Sequence, residues 1–92
     1  MTRLDDSARG DFTVDHPLWE FEGEQITRTF QLVDFNEAMG FVTRVALAAE
    51  VADHHPDIDI RWNKVTVTLS THSEGALTAK DTTLAATIDG FV

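Results

Sequence analysis

Residues 34–56 read DFNEAMGFVTRVALAAEVADHHP, and this run decides the fold. Asp34 is placed to cap a helix, with Glu37 three residues on in the capping-box position. Phe35, Ala38, Met39, Val42, Val45, Ala46 and Ala49 then follow the i, i+3, i+4, i+7 spacing of one helical face. A second apolar set, Phe41, Leu47, Ala48 and Val51, flanks that stripe and narrows the polar face to Glu37, Arg44 and Glu50. A helix apolar over so much of its circumference is expected to be buried on more than one side, which in a short chain points to a subunit interface. Pro56 ends it.

Alternating segments lie on both sides of this helix. Before it, Trp19-Glu20-Phe21-Glu22 alternates apolar with acidic, Gly23-Glu24 can turn the chain, and Ile26, Phe30 and Leu32 share one side of the next segment. Arg28 interrupts that apolar side. After it, Ile58, Ile60 and Trp62 alternate with Asp57, Asp59 and Arg61, and Val65, Val67 and Leu69 alternate with Thr66, Thr68 and Ser70. Asn63-Lys64 between them is expected to be a two-residue turn. Thr78 with Asp81 then resembles a capping box, and Leu77, Leu84, Ala85 and Ile88 supply one apolar face for a last helix. The expected order is β-β-α-β-β-α. Its most economical packing is an α+β fold, a four-stranded antiparallel sheet with both helices on one face. Residues 1–17, with Gly10, Pro17 and few apolar groups, are expected to be irregular or poorly ordered, leaving residues 18–92 as a single domain.

Composition narrows the function. A 92-residue chain is one small domain whose marginal stability favours oligomerisation. Without cysteine it has neither disulfides nor thiolate zinc sites, which fits a cytoplasmic location. Sixteen acidic against seven basic residues give a net charge of -9, a poor match for nucleic acid. No apolar run of signal-peptide or membrane-spanning length occurs, so neither secretion nor a membrane is expected.

Three of the four histidines gather around the second hairpin. If Asn63-Lys64 is the turn, paired residue numbers sum to 127, and His55 falls opposite His72. His54 is adjacent, four residues after Glu50, and Asp53 adds a second carboxylate. Imidazoles titrate nearest neutrality, so a pair flanking a substrate can supply acid and base together. Nucleophilic catalysis is disfavoured, because Ser70, Thr71 and Ser73 stand in no elbow or triad context. A metal site is the chemical rival, but adjacent histidines on an extended chain point to opposite sides and no chelating spacing occurs. A histidine at a helix end is more often a cap than a catalyst; that covers His54 alone but not His55 meeting His72. Trp19 and Trp62 are expected in the core or an interface, and His16 at the surface without a partner.

Glu50-Val51-Ala52-Asp53-His54-His55-Pro56, then Trp62-Asn63-Lys64-Val65 and Leu69-Ser70-Thr71-His72, closely resembles the signature of the pterin-4a-carbinolamine dehydratases. The helix from Asp34 to Ala46 and the segment Leu77–Ile88 are similar to the same family, so the resemblance runs from about Trp19 to the C-terminus. It implies dehydration of 4a-hydroxytetrahydropterin to quinonoid dihydropterin, in tetrahydrobiopterin recycling, by loss of the C4a hydroxyl and the N5 proton. Carried over, His54 and His72 would be the acid/base pair and His55 an orienting group. Glu50, Asp53, Trp19, Ser70, Thr71 and Asp81 would bind or position the pterin. The resemblance further implies no metal or bound cofactor, and a homodimer or homotetramer. Met1–Pro17 departs from the family's acidic, leucine-containing leading helix. The rival expectation is a non-catalytic protein of this fold that binds a protein partner, as an assembly factor for Rubisco or a dimerisation cofactor.

Overall fold

The computed structural model describes residues 2–92, and its elements run α1 (Asp6–Asp15), β1 (Glu20–Phe21), β2 (Ile26–Gln31), α2 (Phe35–Ala52), β3 (Asp57–Arg61), β4 (Lys64–Leu69) and α3 (Ala79–Asp89), with a 3-10 turn at His72–Glu74. The strands form one antiparallel sheet in the order β1-β2-β4-β3. Alternation assigns its two faces. Ile26, Phe30, Val65, Val67 and Leu69 are buried under α2 and α3, which contribute Ala38, Phe41, Val45, Ala49, Leu84, Ala85 and Ile88 to the same core. The opposite face is a threonine ladder, Thr27 to Thr68 at 3.1 Å and Thr29 to Thr66 at 2.8 Å. This is the expected α+β sheet with its helices on one face, preceded by an additional helix.

Gly23-Glu24 makes the first turn as expected, closed by reciprocal backbone bonds between Glu22 and Gln25 with Gly23 at φ 60°. Three features differ from expectation. The first is α1 itself. Asp5 caps it by accepting from the Ala8 N–H at 2.9 Å, and Leu4 and Phe12 enter the core, so the segment expected to be irregular carries a helix over Asp6–Asp15. Two well-placed apolar anchors suffice because Phe12 also packs edge-on against Phe21 and stacks on His16. Phe12→Ala is expected to cost about 3 kcal/mol in urea unfolding. Amide exchange should accelerate first across Asp6–Asp15.

The second is the β3–β4 turn. Arg61 pairs with Lys64, so the two turn residues are Trp62 and Asn63, one position earlier than expected. Asn63 is drawn inward: its Nδ2 donates to the Leu32 carbonyl at 2.9 Å, and its own carbonyl accepts the Leu32 N–H at 2.8 Å. Trp62 therefore takes the positive φ of 52° and is 68% exposed, neither a core residue nor part of a strand. Positive φ at the first turn residue alone is the type II′ pattern.

The third is the buried line of α2. Ala38, Phe41, Val45 and Ala49 face the core, whereas Phe35, Met39, Leu47 and Val51 are exposed. Phe41 belongs to the inward stripe in place of Phe35 and Met39, its ring packed 4.7 Å, centroid to centroid, from that of Phe30 on β2.

Arg28, opposite Val67 on the core face, has a specific use there. Its guanidinium lies 4.2 Å from the Phe30 ring centroid and donates to Asp89 at 2.7 Å. Asp89 also accepts from Trp19 Nε1 at 2.8 Å and meets His16 Nδ1 at 2.6 Å. His16 is thus not an unpartnered surface residue; it ties α1 to the end of α3.

Candidate active site

The end of α2 sets the position of two histidines. Asp53 adopts a left-handed conformation, φ 50° and ψ 45°, and its N–H and that of His54 close on carbonyls of the last helical turn. This reverses the chain, and successive side chains then diverge. His54 turns inward and is 7% exposed; His55 turns outward. Glu50 Oε1 meets His55 Nε2 at 2.5 Å, so the carboxylate one turn back serves His55 and not, as the spacing suggested, His54.

The partner of His54 comes from α3. Its Nε2 lies 2.5 Å from Oδ1 of Asp81, a fully buried carboxylate. Oδ2 of Asp81 accepts from the Thr71 hydroxyl and the Thr78 N–H, each at 2.9 Å. With its proton committed to Asp81, Thr71 Oγ1 accepts from the Thr78 hydroxyl at 2.7 Å. Every member of this buried network is satisfied, the condition under which such a network rigidifies a site. Asp81 is at once the closing residue of the α3 capping box and the anchor of His54. An imidazole that donates Nε2–H to a carboxylate keeps its lone pair on Nδ1.

His72 lies beyond the end of β4, at the start of the 3-10 turn, and is exposed. A backbone bridge between Thr71 and Ala76 and a left-handed Gly75 at φ 59° close its loop. The register is therefore not the one that set His55 opposite His72. The loop nevertheless brings them to one cavity of about 210 Å³, lined by Asp53, His54, His55, Ser70, Thr71, His72, Ser73 and Lys80. Its acid/base groups converge from α2's end, β4's end and α3's start. A larger groove of about 460 Å³ adjoins it, shares His54 and Lys80, and is otherwise mostly apolar, with Ala48, Val51, Ala52 and Leu84.

Trp19 is not in the cavity. It is 2% exposed, packed on Phe30 and bonded to Asp89, eight residues and about 12 Å along α3 from Asp81. Ser73, set aside as a nucleophile, lines the cavity, and so does Lys80, which the sequence did not single out; the one available signal was Lys80's place beside Asp81 in the first turn of α3. Among the described residues, no three histidine or carboxylate side chains are grouped to hold a metal ion, and no helix is long and apolar enough to cross a membrane.

The family model for pterin 4 alpha carbinolamine dehydratase matches residues 2–91. The chain belongs to that family. A protein of Chloroflexus aurantiacus named "Putative pterin-4-alpha-carbinolamine dehydratase" is 49% identical over 89 residues, covering 97% of this chain and 96% of its own. A crystal structure described as a transcriptional coactivator/pterin dehydratase from Brucella melitensis superposes with a TM-score of 0.91 at 37% identity, covering 97% of both chains. The dehydratase match thus includes α1, the segment that had looked foreign to the family. A pterin dehydratase-like Rubisco assembly factor of the alpha-carboxysome aligns over 78% of this chain and 83% of its own, with a TM-score of 0.64 at 19% identity; that likeness is one of fold.

Proposed function

We propose that this protein dehydrates 4a-hydroxytetrahydropterin to quinonoid dihydropterin by histidine acid/base catalysis. The observation that carries the proposal is buried His54, held from behind by Asp81, lining one cavity with the exposed His72. In the proposed step, His54 Nδ1 takes the N5 proton while protonated His72 donates to the C4a hydroxyl. The N5–H and C4a–O bonds break, the N5=C4a bond forms and water leaves; solvent then resets both imidazoles. Asp81 stabilises the imidazolium that develops on His54, the role of the carboxylate in a histidine triad. His55, held by Glu50 at the rim, and the exposed Asp53 would orient the pterin's polar edge. Thr71 and Ser70 act from behind, since their hydroxyls are committed to Asp81 and to the Glu24 carbonyl.

A coupled assay tests this. With an aromatic amino-acid hydroxylase turning over on limiting tetrahydropterin, adding this protein should shift the accumulating species from carbinolamine to dihydropterin. An unchanged carbinolamine level would contradict the proposal.

The exposed apolar line Phe35, Met39, Leu47 and Val51 of α2, with Val51 90% exposed, supports self-association through this helix. The double variant Leu47→Glu, Val51→Glu is expected to elute at the mass of one 10.2 kDa chain, and the wild type at a multiple of it. Equal masses for the two would contradict assembly through α2.

A further inference from the structure

The loop that carries His72 is held at both ends by one residue outside it. Ser70 Oγ donates to the Glu24 carbonyl at 2.7 Å, and the Leu77 N–H donates to Glu24 Oε1 at 3.2 Å. Glu24 is itself gripped from the N-terminal side: Arg9 Nη2 lies 2.7 Å and Arg3 Nε 3.1 Å from its Oε2. Arg9 also donates to the carbonyls of Leu4 at 3.1 Å and Gly23 at 3.0 Å, so α1 and the β1–β2 turn are fastened together around this carboxylate. The residues just before α1 reach the loop directly, with Leu4 N–H donating to the Leu77 carbonyl at 2.8 Å and Arg3 forming an isolated antiparallel bridge with Thr78. Hydrogen bonds from Arg3 and then Arg9 hold the Glu24 carboxyl at about 2, so it stays charged throughout the neutral range.

The other fixed point of the loop is Asp81, reached through Thr71. Asp81 also fixes His54. His72 is exposed and takes no side-chain hydrogen bond from the described residues, so the backbone of its loop fixes the point from which its ring reaches the cavity. We propose that Glu24 is a positioning residue for His72, clamping both ends of the 70–77 loop, and that α1 contributes to the site through Arg9. The kinetic part of this inference rests on the proposed dehydration; the clamp itself does not.

Glu24→Ala is expected to accelerate Leu77 amide exchange roughly tenfold relative to β4 amides and to move the His72 ring resonances in an NMR spectrum. kcat for dehydration should fall roughly tenfold with KM within about twofold, the effect of a displaced acid/base group rather than a lost binding contact. Glu24→Gln keeps an acceptor for Leu77 and should recover most of kcat. If the alanine variant does not fold, Glu24→Asp, one methylene too short to reach the Leu77 N–H, takes its place: Leu77 exchange should accelerate and the His72 resonances move, and wild-type values in it would overturn the proposal. Wild-type exchange and His72 resonances in Glu24→Ala would overturn the proposal. So would kcat and KM changing together without recovery in Glu24→Gln. Absence of turnover in the wild type would instead count against dehydration, with exchange and ring resonances still deciding the clamp.

Discussion

Replacing His72 by alanine is expected to lower kcat for carbinolamine dehydration by ~10²- to 10⁴-fold, the range for loss of a general acid or base. Stability should change by less than about 0.5 kcal/mol, because the side chain is exposed and removal of such a group leaves no buried partner behind. That combination separates chemistry from folding. A KM close to wild type would accompany it, since a proton donor at the leaving hydroxyl acts in the transition state more than in binding. Steady-state kinetics with a parallel thermal melt measures both. A variant with wild-type kcat would remove His72 from the mechanism.

Asp81→Ala is expected to have the largest combined effect. The carboxylate is fully buried and receives three hydrogen bonds, from His54, Thr71 and the Thr78 N–H. Truncation leaves those buried donors unpaired, removes half of the α3 capping box and frees His54 to change tautomer. Leaving a buried donor unpaired typically costs about 1–3 kcal/mol, with three such donors here, and a lost cap costs about 1 kcal/mol of helix stability, these not being additive. An unfolding free energy from urea titration lowered by about 3–5 kcal/mol is therefore expected, a large fraction of the total stability of a small domain. Under conditions where the variant remains folded, kcat should still be reduced at least about 10²-fold, because the base has lost the group that orients it. A loss below about 1 kcal/mol would show that the network is not the fixed point of the site.

How much of this was legible in the sequence follows from whether each determinant is local. The Gly23-Glu24 turn and the Thr78–Asp81 capping box are signals within a few residues and form as read, and at α2 Asp34 caps through the Glu37 N–H. The leading helix was hidden because its support is tertiary: Phe12 against Phe21, Arg9 against Glu24 and His16 against Asp89 lie far apart in the chain. The β3–β4 turn slipped by one residue because Asn63 answers to Leu32 on another strand, a demand that turn propensities do not contain. Within the site, periodicity indicated that His54 and His55 diverge. It could not reveal that Asp81, read as a helix cap, uses its other oxygen on His54, or that Glu50 serves His55. The same limit applies to Trp19, whose indole bonds the far end of α3.

The most direct measurement of the central claim is the ultraviolet decay of purified 4a-hydroxytetrahydropterin with and without this protein at neutral pH. Dehydration by His54 and His72 predicts a decay that accelerates in proportion to wild-type protein and yields dihydropterin, with the acceleration nearly lost in His72→Ala. A wild-type trace that overlays the uncatalysed decay would contradict it.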